Sequence, residues 1–231
     1  MFLNNIDISN YKAQLLTKDI QTAEVTTYDD WLRNALNPLY MGKQEKYKQI
    51  KIQLYIKDTD DNAVLNDISN IIKEFEKCTI KFDDIDFYYD CLIVNKNHTR
   101  LAKGKYTLDV ELKSGYAYKE AITETMTDVL SKTVNVPGNL PTPAVVTITV
   151  PTNESNVVLS GFGEDDITIN NVQGNMPVII DGEVCTVTEN GVNKFGDTDI
   201  WQFPDLQPGD NLIGINSNLY TVQIQYKPRW M

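Results

Sequence analysis

Histidine is almost missing from this 231-residue sequence: His98 is the only one. Ser-His-Asp and Cys-His catalysis would both have to run through that single imidazole. Its setting, Asn95-Lys96-Asn97-His98-Thr99-Arg100, reads as an exposed polar turn. Cysteine is nearly as scarce. Cys78, Cys91 and Cys185 form no CxxC pair and, with one histidine, cannot supply a convincing zinc set. An odd, sparse count also argues against a disulfide scaffold and for a reducing compartment. No apolar run approaches the roughly 18 residues of a membrane span. Residues 1–12 show no basic region followed by an apolar core, so no secretory signal is expected, and the sequons at Asn97 and Asn153 are read as chance.

Positive charge is also in short supply. The chain holds 21 Lys and Arg against 32 Asp and Glu, a net charge of −11. That balance repels polyanions, so nucleic-acid binding is not expected. The acids are dispersed and read as a solvated surface. Other chemical motifs break down on inspection. Asp58-Thr59-Asp60-Asp61-Asn62 opens like a calcium loop, but Ala63 stands where the sharp turn needs glycine and Ser69 where the bidentate glutamate belongs. A strand-to-helix turn with an N-cap explains it better. Phe82-Asp83-Asp84-Ile85-Asp86-Phe87 reads as a tight turn between strands. Gly161-Phe162-Gly163-Glu164 lacks the third glycine and the helix of a phosphate cradle. Acidic pairs for glycoside hydrolysis occur in any acidic chain and carry no weight. No catalytic, cofactor-binding or metal-ligating residue is assigned, and the chain is read as a non-enzyme.

What is present is a β-rich pattern in two parts. Apolar residues make up 42% of the chain and charged residues 23%, ordinary globular proportions. Of the 21 Gly and Pro, only Pro38, Gly42, Gly104 and Gly115 precede residue 131. Residues 136–143, Val-Pro-Gly-Asn-Leu-Pro-Thr-Pro, therefore mark a boundary, with domains expected at 1–133 and 134–231. The second part shows short β-branched runs at 144–150, 156–160, 166–170, 177–180, 184–189, 199–203, 211–215 and 219–226. Turn signals such as Asp181-Gly182 and Asn190-Gly191 separate them, which predicts a β-sandwich. In the first part, residues 49–56 alternate through Ile50, Ile52, Leu54 and Ile56 and predict a half-buried strand. Val64, Leu65, Ile68, Ile71, Ile72 and Phe75 fall at helical spacing within 60–77. Residues 78–82, 87–94 and 106–112 predict further strands. Residues 117–132 are ambiguous: a helix is conceivable, but Thr123, Thr125 and Thr127 weaken it. Residues 23–48 are long, aperiodic and aromatic. We read them as an arm that packs on something, with Tyr28, Trp31, Leu32, Leu36, Leu39 and Tyr40 as its interface. The alternative is a segment folded back on its own domain.

The order strand, aromatic arm, strand, helix, Phe82-Asp83-Asp84 turn and strand pair exits through Ser114-Gly115-Tyr116-Ala117-Tyr118. With Asn139-Leu140-Pro141-Thr142-Pro143-Ala144, Ile179-Ile180-Asp181-Gly182-Glu183-Val184 and the closing Gln225-Tyr226-Lys227-Pro228-Arg229-Trp230-Met231, it resembles the distal tail proteins of siphophages that infect Gram-positive bacteria. The resemblance spans essentially the whole chain, on packing and turn features. It implies a mainly β fold: an N-terminal β-sandwich-like domain with one helix and an extended arm, then a C-terminal galectin-like β-sandwich. It implies a hexameric ring at the far end of the tail tube, made by the first domain, with the arm embracing the neighbouring subunit. The implied location is the virion tail tip, after synthesis in the bacterial cytoplasm. The implied partners are further copies of the chain, the major tail tube protein, the tail-tip or tail-associated lysin protein and, in some relatives, receptor-binding proteins. No cofactor, nucleic-acid partner or membrane insertion is implied. Galectin sugar sites use a His, Asn, Arg and Trp set. The second part lacks histidine, has Arg229 as its one arginine, and its Trp201 is assigned to the sandwich core. The alternative is a carbohydrate-binding module that attaches to host cell-wall polysaccharide.

Overall fold

A computed structural model describes residues Met1–Met231. The chain divides into two compact units, the first ending at Tyr118 and the second running from Lys119 to Trp230.

The first unit is one antiparallel sheet with a helix on one face. Its strands are β1 (Phe2–Leu3), β2 (Ile6–Asp7), β3 (Ala13–Ile20), β6 (Lys48–Lys57), β7 (Lys77–Lys81), β8 (Tyr88–Ala102) and β9 (Lys105–Tyr118). They lie in the order β2-β1-β7-β8-β9-β6-β3. The period-two signal of residues 49–56 is realised in β6, where Ile50, Ile52, Leu54 and Ile56 are buried and the residues between face outward. Helix α1 (Asp61–Phe75) lays Val64, Ile68, Ile71 and Phe75 over that apolar face. The sequence-level sandwich expectation for this part needs one refinement: a helix, in place of a second sheet, forms the other layer.

Local chemistry fixes where the helix starts. The Asp60 carboxylate accepts from the Ala63 amide at 2.9 Å, the N-cap expected from the sequence. Asp61 accepts from the Gly104 amide at 2.7 Å and from Arg100 at 3.0 Å. The β8–β9 turn is thereby clipped to the helix start. Gly104 has a φ of +66°, and a Cβ there would collide with the Asp58 carbonyl oxygen, so only glycine fits this turn without strain. His98 lies exposed within β8, in an extended strand rather than in a turn.

The remaining strands of this unit, β4 (Val25–Asp30) and β5 (Leu39–Glu45), pair only with each other. They form a two-stranded hairpin separate from the main sheet.

The second unit is a two-sheet sandwich. One sheet orders β10 (Ile122–Met126), β21 (Thr221–Tyr226), β12 (Thr142–Thr149), β15 (Val178–Asp181), β16 (Thr186–Glu189) and β17 (Val192–Asn193), with β19 (Asp205–Leu206) also pairing with β12. The other orders β11 (Ser131–Val136), β20 (Gly209–Ile215), β13 (Glu154–Ser160), β14 (Ile167–Val172) and β18 (Thr198–Asp199). Val146 and Ile148 of one sheet join Leu159, Ile169 and Ile213 of the other in a single core, with Phe162 fully buried in it. The alternation through Tyr220, Val222, Ile224 and Tyr226 is realised, and all four are buried.

Two sequence expectations are revised here. Residues 117–132 hold the end of β9, all of β10 and the first residues of β11, with no helix. The threonines that weakened a helix suit strands instead. The Gly/Pro boundary at 133/134 also falls inside β11, whereas the compact units divide at 118/119. β10 and β11 precede the Pro-Gly stretch in sequence, but their partners are β21 and β20 of the sandwich. Trp201 is corrected as well: it is 83% exposed, while Ile200 and Phe203 beside it pack against the core.

Candidate assembly surface

The hairpin is a separate two-stranded sheet. β4 and β5 pair in register from Val25 opposite Glu45 to Asp30 opposite Leu39. A bulge after Tyr28 leaves Met41 as the extra residue on β5, next to Gly42 at φ +142°. The hairpin base is fastened by a Lys46 amide donating to the Glu24 carbonyl at 2.8 Å. Its tip is held by the Trp31 indole N–H, which donates to the Ala35 carbonyl at 3.2 Å. The Tyr28 hydroxyl donates to the Gln44 side chain across the strands at 2.8 Å.

These bonds leave the apolar surfaces uncovered. All six sequence-predicted interface residues, Tyr28, Trp31, Leu32, Leu36, Leu39 and Tyr40, are exposed, from 48% for Tyr28 to 93% for Leu36. Val25 and Met41 extend the patch. Large contiguous apolar patches on a protein surface mark interaction sites, and a hairpin with this many exposed large apolar side chains is a candidate for one. Trp and Tyr add large contact area at little conformational cost. Within this chain the hairpin pairs with no other strand, and its large apolar side chains are exposed.

Near the hairpin base lies a groove of about 260 Å³ on the first unit, lined by Tyr47, Val94, Leu112 and Lys113 among others. The Lys113 ammonium sits 4.9 Å from the Tyr47 ring centroid. The groove is shallow and mixed in polarity, with no convergent catalytic set. His98 is not among its residues. No group of three or more His, Cys, Asp or Glu is arranged to hold a metal ion. Cys78 and Cys91 face each other across β7 and β8, buried and unbonded. Contact with the Cys78 thiol, together with burial, pushes the Cys91 thiol well above the usual range, so it is a poor nucleophile. The Asp58 carboxyl is held low by Lys12, an ion pair of the strand-to-helix turn and not a cation cage. No helix is long and apolar enough to cross a membrane.

Comparison with known proteins bears on both units. Residues 137–230 match the profile of a protein family described as siphovirus-type tail component, C-terminal domain. This stretch of the chain is similar to a siphovirus-type tail component domain. The match covers most of the sandwich but leaves out β10 and β11, which the structure assigns to the same unit. The whole chain has a matching fold among solved structures. The phage SPP1 Dit (gp 19.1) protein, described as a paradigm of hub adsorption apparatus in Gram-positive infecting phages, superposes with a TM-score of 0.80. That alignment covers 99% of this chain and 98% of that one at 9% identity. A chain of the phage P2 baseplate in its activated conformation with Ca gives a TM-score of 0.56 at 10% identity, covering 95% of this chain and 92% of that one. The equivalent Sr structure gives 0.55 at 11% identity, with the same coverage. No curated protein sequence matches this chain. The family match and the shared fold both lie among phage tail and baseplate proteins.

Sequence reasoning missed one exposed site. Trp201 and Phe195 lie open on the sandwich. The available signal was that Ile200 and Phe203 already supply the apolar residues that the core needs there.

Proposed function

We propose that this chain is a structural hub at the distal end of a siphophage tail. The first unit closes into a ring, hexameric as in the family it resembles, and the hairpin of residues 25–45 grips the next subunit. The ring joins the tail tube to the tail-tip or tail-associated lysin protein, and the sandwich faces outward to the host-adsorption parts, receptor-binding proteins included. The observation that carries this reading is the hairpin itself, whose apolar side chains find no cover from their own chain. Closed rings need a heterologous contact, in which two different patches meet head to tail, and a projecting arm supplies one of them. The net charge of −11 suits a conduit that DNA must pass without sticking. The role asks for no turnover, and the lone exposed His98 offers no catalytic constellation.

The test replaces residues 26–44 with a short Gly-Ser turn and compares the mass of full-length and shortened protein by light scattering and negative-stain microscopy. The full chain is expected to give rings, and the shortened chain a folded monomer with an unchanged melting temperature. Rings from the shortened chain would sink the hairpin assignment. One observation favours the second reading, a carbohydrate-binding module: the open face of Trp201. It predicts that the protein is retained by host cell-wall polysaccharide, and absence of retention counts against it.

A further inference from the structure

We propose that the loops around Trp201 form a docking site for a Lys/Arg-bearing segment of a partner protein. Trp201 is flanked by Ile200 and Phe203, both packed on the sandwich core. The chain between them therefore turns the indole outward. Phe195 stacks on Phe203 with centroids 6.1 Å apart and planes 13° from parallel, which closes the loop beneath. A second loop, residues 161–166, is tied alongside. The Asp205 amide donates to the Phe162 carbonyl at 3.0 Å. Strand β14 pairs with β18 through Thr168 opposite Asp199. Asp166 directly precedes β14 and Trp201 lies two residues past the end of β18, so this pairing brings the two loops to the same end of the sheet. Gly163 lies so close to Gln202 that a Cβ there would come within 2.8 Å of the amide oxygen.

The indole is open, and Glu164, Asp165, Asp166 and Asp199 on the two adjoining loops are exposed as well. Few basic residues lie in this part of the sandwich. Between residues 133 and 226 the one basic residue is Lys194. It is buried, and its ammonium is held by Glu189 at 2.8 Å, Asp197 at 3.3 Å and the Asn171 carbonyl at 2.9 Å. An indole face attracts ammonium and guanidinium groups, and carboxylates beside it add charge-assisted hydrogen bonds. A neutral sugar could stack on the indole and donate hydroxyls to the carboxylates but brings no charge to offset theirs, and an anionic wall polymer would be repelled. Charge complementarity therefore selects a cationic peptide. This inference rests on the local chemistry of the sandwich and stands apart from the ring assignment.

The experiment titrates full-length protein against a fluorescently labelled peptide of alternating Lys and Ala, and against its Glu-for-Lys counterpart, at low and physiological salt. The Lys peptide is expected to bind and the Glu peptide not. W201A weakens binding about tenfold and W201F less, since Trp is the best cation–π partner. The pair D165N/D166N weakens binding and flattens its salt dependence. The pair D128N/E154Q, with Glu154 at the far end of β13, leaves it unchanged. Equal losses from both acid pairs with W201A inert would reduce the effect to diffuse attraction and overturn the proposal. So would a neutral wall oligosaccharide that binds in a Trp201-dependent way while the peptide does not. Melting curves confirm that each variant is folded.

Discussion

The β4–β5 hairpin and strand β12 draw on similar kinds of residue and meet opposite fates. In β12, Ala144, Val146 and Ile148 are fully buried and the alternate side chains are half-exposed. In the hairpin, Tyr28, Trp31, Leu36 and Met41 stand in solvent. The strand is flanked on both sides, by β21 and β15, and covered by a second sheet. The hairpin has neither neighbour nor cover. Hydrophobicity alone does not tell core from contact surface; what separates them is whether the chain's own topology delivers something to cover the residue. The same contrast recurs inside the sandwich, between buried Phe162 and exposed Trp201.

That contrast is sharpest where substitutions should diverge most. Phe162→Ala empties a filled core position and is expected to cost about 3–5 kcal/mol in urea unfolding. Gly104→Ala, in the first unit, forces a Cβ against the Asp58 carbonyl at positive φ and should cost roughly 1–3 kcal/mol by the same measurement. Asp60→Ala removes the α1 cap and should cost about 1 kcal/mol. Leu36→Ser, at the other extreme, should change subunit stability by no more than about 0.5 kcal/mol while weakening ring assembly. A core-sized loss from Leu36→Ser would break the comparison. The smallest expected effect is acid sensitivity. Hydrogen bonding to Lys12 lowers the Asp58 pKa, the Gly104 amide and then Arg100 lower that of Asp61, and Lys18 lowers that of Asp84. A lowered folded-state pKa means stability that is present above the unfolded value, about 3.9, and lost as pH falls through the folded one. Unfolding followed between about pH 5 and pH 2 should show this loss, with a shallower acid slope in Asp61→Asn.

The sequence made some of this legible and hid the rest for physical reasons. β6, β21 and α1 could be read because each buries one face, and burial imposes a period of two or 3.6 residues. The hairpin could be found only as an irregularity, since no core of its own imposes a rhythm; its aromatic content was the clue. β10 and β11 were missed because their partners lie between about seventy and a hundred residues downstream, at Val222–Tyr226 and Gly209–Gly214, beyond the reach of local pattern. The exposure of Trp201 depends on which of three neighbouring apolar residues the core can accept, and that is decided only when the two sheets meet. The paired burial of Cys78 and Cys91 is likewise a matter of register.

The position of β21 carries one more consequence. It lies between β10 and β12, and so becomes an interior strand of its sheet although it is the last of the sandwich strands to be made. During translation β10 emerges about a hundred residues before the strand it must pair with, and until then both it and the facing edge of β12 lack a neighbour. The sandwich cannot close on a growing chain until residue 226 has been made and freed from the exit tunnel. A nascent chain stalled before residue 221 should therefore stay protease-sensitive from residue 119 onward, while residues 1–118 already resist. Synthesis would thus deliver the sheet-and-helix unit first, with its hairpin displayed, and complete the sandwich afterwards.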